Sequence, residues 1–178
     1  MRRWNNILAR IIIVLFLLHG VMGSLMLLGV SNVAIVYLPW ILLAAVGIHG
    51  ILGIISTIPS IKSGIKTGYW YFRENAAFWT KRISGLAILL LLSFHITAYT
   101  TNVNGHFFLK EFTVCGLISQ ILFVVSIFIH LAVSIRSMLI AKGAIKFKER
   151  TIDWMLVLSV MMIFFTVAII IYFIQWQV

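Results

Sequence analysis

His19, His49, His95 and His130 stand one each in four successive apolar segments, where an ionisable side chain is costly and calls for a reason. No other titratable side chain lies in the middle of those segments. One such histidine is explained by a hydrogen bond to a hydroxyl or carbonyl of a neighbouring helix. Four in four neighbouring segments point to a shared task. Neutral imidazole ligates a metal through one ring nitrogen while the other donates a hydrogen bond, for which Ser126, Ser134 or an upstream helical carbonyl offers an acceptor. Two imidazole pairs from facing helices are what two bis-histidine haems inside a helical bundle require. The fifth histidine, His106, falls in the Asn102 to Lys110 connection and is expected to be solvated.

A flat macrocycle needs room beside its ligand, on the same helical face. His19 has Gly23 at i+4, His49 has Ala45 at i−4 and Gly53 at i+4, and His130 has Ser126 and Ser134 one turn to either side. His95 is the exception, between Leu91 and Tyr99. The pattern His-Gly-x-x-Gly occurs at His19 to Gly23 and again at His49 to Gly53. Close helix packing through glycine explains the glycines without a cofactor, but leaves the histidines without a role.

The positioning elements follow from composition. The chain has 178 residues, of which 62% are hydrophobic and 10% charged, and its mean hydropathy is +1.12, outside the range of soluble domains. The expected fold is an all-α integral membrane protein: a single haem-binding domain over residues 1–178, with five transmembrane helices near 7–29, 34–58, 79–101, 112–141 and 152–175. Helix two is expected to open at or just before Pro39 and to stop at Pro59. The longest polar connection, Pro59 to Arg82, is too short for a soluble catalytic domain, so water-soluble chemistry falls to partner chains. The first apolar run is too long for a signal-peptide core and has no small-x-small cleavage site, so it is read as a retained helix. With Cys115 alone, neither an internal disulfide nor covalent c-type haem attachment is available.

The formal charge of +10 follows membrane topology and forms no nucleic-acid-binding stripe. Arg2, Arg3 and Arg10, then Lys62 to Arg82, then Arg136 to Arg150 fall on one side, and Lys110 alone on the other. The amino terminus is therefore expected in the cytoplasm and the carboxyl terminus outside. In that frame His130, ~9 Å along the axis from Arg136, lies on the inner side, and His95, four residues before Tyr99, on the outer. His49 is ~15 Å from Pro59 and His19 about as far from Gly29, which favours His19 with His95 and His49 with His130.

With these residues in place, the chain resembles the single-chain, five-helix, di-haem cytochrome b membrane anchor of succinate:quinone oxidoreductases and quinol:fumarate reductases. The resemblance covers nearly the whole length. It rests on the order of four histidines over four helices, on Arg82-Ile83-Ser84-Gly85 ahead of His95, and on His130 followed by Ser134-Ile135-Arg136, where Ser134 replaces a glycine usual in the family. It implies two non-covalent haem b, held by His19 with His95 (outer) and His49 with His130 (inner). It also implies an iron-sulfur and a flavoprotein partner on the cytoplasmic side of a bacterial inner membrane, and exchange of electrons with a quinone, menaquinone or ubiquinone. Arg82 and Arg136 would pair with haem propionates, whereas Arg10 and Lys81 fit ordinary topology and lipid headgroups better, and Ser84, Gly23, Gly53, Ser126 and Ser134 would lie against the macrocycles. Trp79 inside, with Tyr99 and Glu111 outside, are the candidate quinone contacts; no catalytic residue is assigned. No span carries an acidic residue beyond its first turn, where Asp153 opens the fifth, which disfavours proton transfer through an intramembrane carboxylate. Two other readings stay open: a cytochrome b subunit of a hydrogenase, formate dehydrogenase or nitrate reductase, and a haem-free transporter or assembly factor.

Overall fold

Long apolar runs with few internal breaks become helices, and the described residues form five: α1 (Arg2–Leu27), α2 (Leu38–Thr67), α3 (Ala76–Ala98), α4 (Val114–Ala141) and α5 (Ile152–Gln175). The computed structural model describes residues 2–31, 35–103, 106–109, 112–143 and 152–175. The shortest helix, α3, has 23 residues and extends ~35 Å, more than the ~30 Å of a bilayer's hydrocarbon core. All five are long and apolar enough to cross a membrane.

Local chemistry sets their ends. After α1, Gly29 takes a left-handed conformation at φ 69°; its N–H reaches Met26 O and that of Val30 reaches Leu25 O, both at 3.0 Å, so the last carbonyls are served. α4 opens on Thr113, whose Oγ1 accepts the Gly116 N–H at 3.1 Å.

Three expectations are corrected. α1 begins at Arg2 rather than near residue 7, its polar first turns continuing the helix beyond the apolar run. α2 runs through Pro59 to Thr67 instead of stopping there. The proline removes one backbone donor, and the turns beyond it are held by packing: Trp70 lies so close over Gly64 that a Cβ there would meet its ring at 2.8 Å. α3 starts at Ala76 and ends at Ala98 rather than 101. The Asn102 to Lys110 connection contains a short antiparallel hairpin, β1 (Thr100–Val103) with β2 (His106–Leu109), pairing Thr100 with Leu109 and Val103 with His106. β-Branched Thr100, Thr101 and Val103 suit a pleated strand better than a fraying helix end.

Each helix packs against its neighbours in the chain, and α5 returns to α1, so the five close into a ring. The tightest pair is α3 with α4. The buried core lies toward α5, where Phe123 and Ile127 of α4 meet Leu158, Met162 and Phe165. Phe16 of α1 meets Phe165 edge-on at 5.8 Å. At the hairpin end Phe112 stacks on Tyr99 at 5.1 Å and packs with Ile169 and Tyr172. At the opposite end consecutive cations of α3 reach both neighbouring helices: Lys81 Nζ donates to Ser137 Oγ of α4 at 3.4 Å, and Arg82 Nη2 to Ser56 Oγ of α2 at 2.9 Å.

Candidate functional site: two crossed histidine pairs

The four histidines come from four helices and meet in two pairs. The His19 and His95 ring centres are 6.0 Å apart with planes at 80°, and those of His49 and His130 are 6.3 Å apart at 90°. These are the partners that axial depth favours. Each pair joins helices that are not neighbours in the ring: among the described residues no Cα of α1 lies within 8 Å of α3, nor any of α2 within 8 Å of α4. The imidazoles therefore face one another across gaps that backbone packing leaves open. Along α3, His95 lies ~15 Å from Gly85, which touches His130, so the pairs sit at different levels of the bundle.

The protonation of two rings follows from their partners. Gln120 Oε1 accepts only, so His95 Nδ1–H donates to it, at 2.7 Å. Ser84 gives its hydroxyl proton to Thr80 O at 2.6 Å, so His130 Nδ1–H donates to Ser84 Oγ, at 3.1 Å. Both rings are left with a lone pair on Nε2, the form that binds a metal. His49 Nδ1 is buried with no partner, and so is Arg82 Nε. An unmade hydrogen bond of that kind costs on the order of 1–3 kcal/mol. Arg82 belongs to the same neighbourhood: its Nη1 lies 3.4 Å from where a Cβ on Gly53 would stand, one turn from His49.

The two halves of the His-Gly-x-x-Gly repeat divide their work alike. Gly20 and Gly50 are packing glycines, where a Cβ would meet Phe165 at 2.7 Å and Leu89 at 3.0 Å. A Cβ on Gly23 would meet nothing within 4 Å, and one on Gly53 only the Arg82 guanidinium. Ala45 is buried in α2.

Other sequence candidates fall in different places. The acceptor for the His130 ring is Ser84, not Ser126 or Ser134: Ser126 spends its hydroxyl on Leu122 O of its own helix, at 2.8 Å. Ser134 is half-buried one turn beyond His130. Arg136 is exposed and lines a shallow cleft with Ala132, Leu139, Trp154 and Leu158, on the α5 side of α4 and away from His130's partners. Trp79 donates to Trp70 O at 3.3 Å and packs with Trp70, Phe72 and Phe78 at the cationic end. Tyr99 lies ~30 Å away at the other end of α3, beside His95; burial, with the Tyr172 phenol beside it, pushes its own phenol up from the ordinary range. Glu111 lies outside the described residues, as do the side chains of His106, Lys110 and Arg150.

Gln120 is the residue that a search confined to ionisable groups passes over. It is 1% exposed and lies in the second turn of α4. A lone amide among apolar residues was its visible signal, since a buried amide in a membrane needs a partner.

Among the described residues no three His, Cys, Asp or Glu side chains gather around a point. The arrangement thus suits a metal that arrives with its own equatorial ligands and needs two axial nitrogens. A metal–imidazole bond is about 2 Å and the ring centre lies roughly 1.1 Å behind the nitrogen, so two rings sharing one ion have centres about 6 to 6.5 Å apart. Both pairs fall in that interval. Comparison of the chain with protein-family models, with curated proteins and with solved structures finds no match.

Proposed function

We propose that this chain is a di-haem cytochrome b, serving as the membrane anchor of a succinate:quinone oxidoreductase or quinol:fumarate reductase. The observation that carries the haem reading is the crossing of the two histidine pairs. Ring centres 6.0 and 6.3 Å apart join helices whose backbones stay out of contact. Ordinary aromatic pairs also stand 4.5–7 Å apart, but they do not require the helices carrying them to be held away from each other. The open flanks of Gly23 and Gly53 and the unpartnered His49 and Arg82 nitrogens support the same reading.

Haem, when bound, supplies reversible one-electron transfer, and the protein supplies position and electrostatics. His19 and His95 hold the outer site, His49 and His130 the inner. Ser84 keeps the His130 ring oriented. Arg82 and Lys81 place positive charge at the inner end, where carboxylate substituents need it, and the Trp70, Phe72 and Trp79 cluster covers that end. The anchor assignment rests on the Arg82-Ile83-Ser84-Gly85 and His130 to Arg136 segments together with the histidine order. In that assignment the amino terminus is cytoplasmic in a bacterial inner membrane, electrons pass between quinone and an iron-sulfur partner, and dicarboxylate chemistry belongs to a flavoprotein.

The test is the purified chain's reduced-minus-oxidised visible spectrum with a haem-to-protein ratio. Two haems per chain are expected, with His95→Ala and His130→Ala each retaining a different one. A colourless protein ends the reading and leaves a transporter or assembly factor. Co-purification then decides the complex: a flavin-bearing partner with succinate or fumarate activity is expected, and a nickel or molybdenum partner moves the chain to a hydrogenase, formate dehydrogenase or nitrate reductase.

A further inference from the structure

His95 is the most thoroughly held of the four rings, and α4 does the holding. Phe123 lies against it at 4.9 Å with planes 30° apart, and Gln120 takes its Nδ1 proton in the shortest hydrogen bond made by any of these histidines, 2.7 Å. The amide is itself held. Gln120 Nε2 donates to Ser119 Oγ at 3.2 Å, and Ser119 Oγ donates to Gly116 O at 2.7 Å. Every donor in the series His95, Gln120, Ser119, Gly116 points the same way, so each bond polarises the next. This orientation leaves Oε1 no alternative but to face the imidazole. A neutral amide 1% exposed in an apolar span would otherwise be a burden on the fold.

We infer that Gln120 is a positioning residue that sets the electron-donating strength of His95, and so holds the reduction potential of the His19–His95 haem below the value it would have without this hydrogen bond. This rests on the haem reading above. An imidazole whose Nδ1–H is drawn toward an acceptor puts more electron density on Nε2, which favours the more positive, oxidised iron. Gln120 meets His95 and Ser84 meets His130, so the two sites are adjusted separately, each from the helix opposite its ligand. The pairs lie ~15 Å apart along α3 and share none of these partners.

The experiment is a spectroscopic redox titration of the purified holoprotein in detergent, with wild type, Gln120→Leu, Gln120→Glu and Ser84→Ala. Gln120→Leu is expected to raise one of the two potentials by about tenfold in the reduction equilibrium, ~59 mV for a one-electron couple, and to leave the other in place. Gln120→Glu keeps an accepting oxygen at the same atom and is expected at or below the wild-type value. Ser84→Ala is expected to move only the other haem. Should Gln120→Leu lose haem, Ser119→Ala leaves Gln120 intact while breaking the series, and a smaller rise at the same haem is expected. Potentials that stay put, or that move together, overturn the inference. A wild-type chain without haem overturns the reading beneath it, whereas two haems with unmoved potentials overturn the role of Gln120 alone.

Discussion

His130 Cε1 stands 3.3 Å from the position a Cβ on Gly85 would take, so a side chain at residue 85 would crowd the ring that meets Ser84 and His49. The tight packing of α3 on α4 and the placement of an imidazole between α4 and α2 are thus one geometric fact. If each pair holds a haem, Gly85→Val should displace His130 and halve the haem content while leaving the His19–His95 haem bound. A haem assay on the purified variant checks this, and an unchanged content would separate Gly85 from the site.

Gly23 tests the space rather than the ligand. A Cβ on Gly23 would meet no protein atom within 4 Å, so the protein alone should tolerate Gly23→Ala within about 0.5 kcal/mol. If a macrocycle lies beside His19, the same change should cost the chain its outer haem. Full haem content in this variant would mean that the face beside Gly23 meets lipid.

Gly20 gives the opposite result. A Cβ there stands 2.7 Å from the Phe165 ring, and overpacking of this kind costs about 1–3 kcal/mol. Gly20→Leu should lower the thermal midpoint in detergent, and combined with Phe165→Ala it should cost less than the sum of the two single changes. An additive double variant would remove Phe165 from the α1–α5 closure.

The ring planes of the pairs stand at 80° and 90°. If an iron is shared by the rings of each pair, perpendicular imidazoles would leave two of its d orbitals nearly equal in energy, and the ferric protein should then give highly anisotropic low-spin paramagnetic resonance signals. A well-resolved rhombic spectrum, the mark of parallel planes, would refute the observed ring orientations.

The last turns of α2 depend on Trp70. Beyond Pro59 the helix lacks one backbone bond and carries Lys62 and Lys66, and the Gly64 to Trp70 contact holds it. Trp70→Ala should raise amide exchange over residues 60–67 roughly tenfold, ~1.4 kcal/mol, with no change over 40–55. Uniform exchange along α2 would place the stabilisation elsewhere.

The helices were legible because a bilayer imposes one length scale on every apolar run, and depth along an antiparallel bundle is linear in residue number, which favours His19 with His95 and His49 with His130 without settling it. The hairpin was not read, because the short Asn102 to Lys110 stretch between two long helices was expected to be a solvated loop. Pro59 misled because a proline's effect on a helix depends on what packs beyond it.

Sequence alone therefore determined which residues are out of place in lipid, how many helices carry them and at what height each sits, since all three depend on local composition and a fixed rise per residue. Tertiary structure alone decided what lies beside each histidine: Gln120 instead of a neighbouring turn for His95, Ser84 instead of Ser126 for His130, and the turning of Arg136 toward α5. Those depend on the rotation of each helix about its axis, which is set by how side chains of different helices interlock and leaves no periodic trace in any one of them.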